Sequence, residues 1–258
     1  MTAIPTVAET GVRPVEWWDG VPVPAITARS GEAPPPQPLM RQRTRLGFTD
    51  EVSTDRQYDV LWMRMPARPR GEPDYEFIHG LRQRAAMARM LCQVCYGPTP
   101  ASVGKPGLFL LGAAGGRPIC DGEPTASPPV HAACARSAVE YCRPLSRGWS
   151  AALVENTPVW GVAGTLYDPR TLAAVPPPDG RSLHRIGFAD ARIPWVLASR
   201  LMITLEGVTP VANLEDLSDA ELAAASAASG QLQQRDAPRV DRPPPAPLTG
   251  AALTPPVR

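Results

Sequence analysis

The chain has 258 residues, 43% of them hydrophobic, and a net charge of +1. That charge excludes the strongly basic profile of a dedicated nucleic-acid binder. No run approaches the roughly 18 apolar residues of a membrane-spanning helix, which excludes a membrane partner reached that way. Thirty-three prolines and 21 glycines make about a fifth of the chain, and the prolines cluster at the two ends, so only the middle is expected to build a core. The composition predicts a mostly disordered Pro-rich arm over 1–40, one α+β domain over 41–230 and a disordered Pro-rich tail over 231–258. Pro5 and Glu9 stand where a signal peptide needs an apolar run, and five cysteines without a secretory signal suit a reducing compartment. A cytoplasmic location is therefore expected.

In chain order, the first feature is Trp17-Trp18 followed by Val21-Pro-Val-Pro-Ala-Ile26, an aromatic pair expected to dock on the protein's own surface. Arg41, Arg43 and Arg45 form a basic cluster that reads as a solvated face. Alternation over Tyr58–Met65 predicts a strand, ended by Pro66 and Pro69. Phe77 to Leu91 predicts a helix with Phe77, Ile78, Leu81, Ala85 and Ala88 on one face. His79 near its start reads as a surface or capping residue. Gly107–Gly112 predicts a short buried strand, and Ala132–Tyr141 a helix stopped before Pro144. Trp149–Val154 and Val159–Tyr167 read as strands of a hairpin turning through Asn156-Thr-Pro158. Pro194 at a first helical position and Gly207 beyond an apolar pattern predict a helix over Ile193–Glu206, with a strand as the alternative. Ser218-Asp-Ala-Glu221 has capping-box spacing and predicts a helix to about Ala228.

Chemistry concentrates between Cys92 and Cys142. Cys92-Gln-Val-Cys95 is a knuckle pair, and His131-Ala-Ala-Cys134 a second pair at the start of a predicted helix. Sulfur and imidazole ligands suit tetrahedral Zn2+, and residues three apart on a helix rise by about 4.5 Å, close enough to share one ion. The layout resembles a treble-clef zinc finger, so the expected fold is a small zinc-binding core at 77–144 with flanking helices and a short antiparallel sheet. Cys142 lies eight residues beyond Cys134, about 12 Å along a continuous helix, too far to share the ion. Cys120 sits in a loop that can bring it to the site in place of His131. A redox reading of the Cys-x-x-Cys pair would need a strand before it and a helix after it, the reverse of the expected order.

The strings Leu91-Cys-Gln-Val-Cys95, Val130-His-Ala-Ala-Cys-Ala-Arg136, Tyr141-Cys-Arg-Pro144 and Val23-Pro-Ala-Ile-Thr27 together resemble a group of uncharacterised actinobacterial proteins, often from Streptomyces and their mobile elements. Members of that group carry cysteine at the position of His131 and glycine at that of Tyr96. The resemblance implies a shared lineage and a zinc site, and no activity.

Between Phe77 and Trp149 eight basic residues face three acidic ones, a local balance of +5. It admits protein or nucleic acid as partner. The expected function is a non-enzymatic, zinc-stabilised binding protein. An HNH-like nuclease is the enzymatic alternative, although no histidine lies between Cys95 and His131 to act as base. A phage or element assembly protein is the structural one.

Overall fold

The computed structural model describes residues 12–113 and 116–217. Fifteen strands and two α-helices are found there: β1 Glu16–Trp18, β2 Val21–Val23, β3 Thr27–Arg29, β4 Leu39–Gln42, β5 Arg45–Phe48, β6 Arg56–Gln57, β7 Val60–Trp62, β8 Pro73–Ile78, α1 Gly80–Ala88, β9 Gly107–Gly112, β10 Glu123–Thr125, α2 Ala132–Tyr141, β11 Trp149–Asn156, β12 Val159–Tyr167, β13 Ala174–Val175, β14 His184–Gly187 and β15 Val196–Val211. Nine of the strands form one mixed sheet, and β1–β2, β3–β8 and β4–β5 form two-stranded sheets beside it. The expected α+β fold, a small treble-clef-like core between flanking helices, is therefore wrong. The four candidate ligands lie in a mostly β molecule built on a large sheet.

Strand β15 organises that sheet and replaces the helix expected over Ile193–Glu206. Pro194 belongs to a short 3-10 turn, Ile193–Trp195, and the next 16 residues are extended. Val196, Leu197 and Ala198 are all buried, as are Leu201, Met202 and Ile203. A strand covered on both faces carries a continuous apolar run that imitates helical spacing.

The expected hairpin at Asn156-Thr-Pro158 does not form either. Strands β11 and β12 run on in one direction as an almost continuous antiparallel partner of β15, with Ala151 opposite Val211, Asn156 opposite Glu206, Val159 opposite Ile203 and Leu166 opposite Val196. Pro158 has no N–H to give, but its carbonyl still accepts from the Thr204 N–H at 2.9 Å, so the ladder passes through it. At about 3.3 Å per residue the resulting ribbon is roughly 50 Å long. Strand β9 extends it beyond β11, while β13 and β14 extend it beyond β12. Bulges in β12 bring backbone so close that a Cβ on Gly164 would lie 2.3 Å from the Leu197 carbonyl oxygen.

The free edge of β15 is shared. Strand β7 pairs in parallel at Leu197–Ala198 and β10 antiparallel at Ile203–Leu205, leaving a gap at Leu201. The side chain of Gln83 on α1 fills it. Its amide oxygen accepts from the Leu201 N–H at 3.0 Å and its amide nitrogen donates to the Leu201 carbonyl at 2.9 Å and the Ala126 carbonyl at 2.7 Å. This overturns the expected apolar face of the helix: Phe77 and Ile78 belong to β8, Ala88 is exposed, and the buried helical residues are Gly80, Gln83, Ala86 and Met87.

The expected disordered arm over 1–40 holds structure from residue 12 onward. Val23, Ile26 and Thr27 are buried, and Glu32 is buried in a two-pronged ion pair with Arg82 of α1 at 2.7 and 2.8 Å. Trp17 and Trp18 remain substantially exposed, with the Trp17 ring edge-on to Tyr141 at 5.3 Å. Residues 1–11, the helix expected at 218–228 and the tail over 231–258 lie outside the described residues.

Candidate metal centre

The two halves of the β15 ribbon serve different layers. In β9, Phe109 faces the main core with Val162, Leu201 and Ile203, while Leu108 and Leu110 face the opposite way, into a second cluster that contains Cys92, Cys95 and Cys134. The candidate centre therefore lies on one face of the β9–β11 half of the sheet.

The knuckle follows α1 through Met90, whose φ of 48° turns the chain out of the helix. Leu91 then bridges to Pro98, the Cys92 N–H donates to the Gly97 carbonyl at 2.8 Å and the Tyr96 N–H donates to the Cys92 carbonyl at 2.9 Å. These bonds fold 92–97 into a tight loop in which Tyr96 takes φ 59°, a conformation that costs an L-residue other than glycine about 1 kcal/mol. The second pair arrives by separate stitching. The Val130 N–H donates to the Leu108 carbonyl of β9 at 2.8 Å, and the Gln93 N–H of the knuckle donates to the Pro129 carbonyl at 2.9 Å. The 35 residues between the two pairs thus loop out from this junction.

Cys92, Cys95, His131 and Cys134 are all buried, and one ligand atom from each lies within 4.8 Å of all the others. His131 is the N-cap of α2 rather than a residue of its first turn, and Cys134 is the third helical residue. All five cysteines are free. The His131 Nε2 sits 3.0 Å from the Pro98 carbonyl, which can only accept, so Nε2 carries the proton and Nδ1 turns to the cluster, 3.3 Å from the Cys95 sulfur. A carbonyl holding the far ring nitrogen is the arrangement that fixes a metal-binding imidazole in orientation and tautomer.

The groups of the cluster strongly shift the titration of Cys95, His131 and Cys134. Hydrogen bonds from Cys134 and Cys92 pull the Cys95 thiol far down despite burial, helped by His131 and by the Arg13 backbone N–H. The same neighbours, Cys92 and Cys95, push Cys134 far up, with burial adding to the effect. Burial opposes charge on His131, yet the Cys92 and Cys95 sulfurs outweigh it and raise its pKa to about 10. Protons thus hold together three sulfurs that would repel one another if all were ionised. A divalent ion can replace those protons, and the residues present can hold a metal ion.

The remaining candidates fall outside. Cys120 is exposed in its loop near Arg117, and Cys142 is the C-cap of α2. His79 does cap α1, accepting from the Arg82 N–H, but it is fully buried rather than on the surface, with Nε2 bound to the Pro66 carbonyl. His184 is likewise tied to the Val175 carbonyl at 2.8 Å. Sequence reasoning missed the supporting carbonyls of Pro98 and Pro129. Backbone acceptors carry no residue-type signal. No helix among the described residues is long and apolar enough to cross a membrane. The chain matches no family model, curated protein or solved structure.

Proposed function

We propose that this protein is a non-enzymatic binding or interaction module whose fold is held by one structural zinc ion on Cys92, Cys95, His131 and Cys134. The observation that carries the reading is the closed donor set: three buried sulfurs and one imidazole with its second nitrogen already committed to Pro98. Three cysteines and one histidine suit zinc better than calcium or magnesium, which prefer oxygen. Four protein ligands leave no open position for substrate or an activated water, so the ion's contribution is to folding. A partner of protein or nucleic acid follows from the exposed aromatic and basic groups on the surface. The likeness to the actinobacterial group supports a mobile-element lineage as part of the same proposal.

Metal content of the purified protein tests it. One zinc per chain is expected, absent from both Cys92→Ser and His131→Ala. A wild type without metal sinks the reading.

A further inference from the structure

We propose that a cleft at the tip of the β4–β5 hairpin binds a phosphate group of a polyanionic or phosphorylated ligand. The inference deepens the binding-module reading, on which it rests, by naming the chemistry that is recognised. The cleft has a volume of about 540 Å³ and lies between the hairpin tip, the turn at Tyr58-Asp59 and the turn at Ile193-Pro194.

Three features point to an anion. Arg43 is exposed, and its guanidinium has no hydrogen-bond or ion-pair partner among the described residues; the same holds for Arg41 two residues before it. Arg45 is only loosely engaged, 3.3 Å from Asp59 and 4.0 Å from Glu51. Glu51 is itself neutralised by Arg56 at 2.7 Å, and the Asp59 side chain is 87% exposed. The cleft is thus lined by the guanidinium groups of Arg43 and Arg45 against the exposed carboxylate of Asp59, and Thr44 adds a hydroxyl. Forked N–H donors of this kind match phosphate oxygens.

The backbone gives a separate argument. Gln42 and Arg45 pair across a two-residue turn in which Arg43 has φ 45°. Such turns favour glycine, asparagine or aspartate, and a long basic side chain there is held against its own preference. In the facing turn Tyr58 has φ 56°, against its preference, and Asp59 has φ 58°, where aspartate is favoured. Arg43 is thus a strained non-glycine residue in the wall of a charged cleft, a placement that binding sites retain.

Arg43→Gly removes the cation and relaxes the turn, so folding is preserved while binding is tested. A labelled single-stranded oligonucleotide is titrated at low salt by fluorescence anisotropy, and inorganic phosphate by calorimetry, against wild type and variant. Expected for the oligonucleotide is an about tenfold loss of affinity, with the slope of affinity against salt reduced by about one phosphate. The same loss for inorganic phosphate alone assigns the cleft to a small phosphorylated ligand, and loss for the oligonucleotide alone assigns it to nucleic acid. Wild type that binds neither probe, or a variant that binds as wild type does, overturns the proposal. Metal content of the same samples separates the readings: Arg43-dependent binding without zinc removes only the metal reading, and zinc without Arg43-dependent binding removes only this one.

Discussion

His131 shows how much one side chain can be asked to do. Its ring nitrogens face opposite duties, Nε2 on the Pro98 carbonyl and Nδ1 on the sulfur cluster. Replacing it by alanine removes one of the four donor groups and leaves three buried sulfurs. His131→Cys returns a fourth sulfur to the cluster. We expect His131→Ala to lose metal and about 3 kcal/mol or more of stability, and His131→Cys to retain one metal per chain with a smaller loss. Metal analysis together with urea unfolding checks both. Retention by the alanine variant would show that the imidazole is no ligand.

At the scale of elements, strand β15 depends on partners that are not strands. Gln83 supplies one donor and one acceptor to Leu201 in the gap between β7 and β10, so Gln83→Ala leaves the buried N–H and carbonyl of Leu201 and the part-buried carbonyl of Ala126 without that partner. Each such group costs about 1–3 kcal/mol, and a loss near 3 kcal/mol is expected, seen as a lower urea midpoint at unchanged slope. Gly164→Ala tests the other edge. Its Cβ would meet the backbone oxygen of Leu197 at 2.3 Å, and neither side can give without breaking the bulge, so a loss of about 2 kcal/mol or more is expected by the same measurement. A variant as stable as wild type would mean that β12 pairs in another register.

For the whole molecule, acid should be destabilising through a few buried carboxylates. Burial raises the Glu32 pKa, but its bonds to Arg82 outweigh that and hold it below the ordinary 4.5; hydrogen bonds from Arg56 and Arg64 likewise lower Glu51 and Asp55. A folded-state pKa below the unfolded value gives stability that is present above pH 4.5 and lost as pH falls through the folded values. The Glu32–Arg82 pair ties the N-terminal segment to α1. Glu32→Gln should therefore be less stable than wild type near neutrality, with the difference narrowing below pH 4.5, as followed by chemical unfolding across that range. A constant difference at every pH would remove the ion pair from the account.

Local chemistry was legible from residue types alone. The Cys-x-x-Cys and His-x-x-Cys spacings named the four donors that come together, helix geometry set Cys142 aside, and the helix over Ala132–Tyr141 and the strand over Gly107–Gly112 stand where their patterns put them. The knuckle loop is closed by bonds within six residues, so its sequence was enough. Long-range pairing was not legible. Leu201 to Leu205 reads as helix with strand as the alternative, and only the arrival of β12 on one edge and of β7, Gln83 and β10 on the other makes it a strand. The same holds for Asn156-Thr-Pro158, where turn-forming residues stay extended because the ladder to β15 continues on both sides of the proline. Hydrogen bonds between residues far apart in sequence outweighed local preference there, and they exist only once the sheet has assembled.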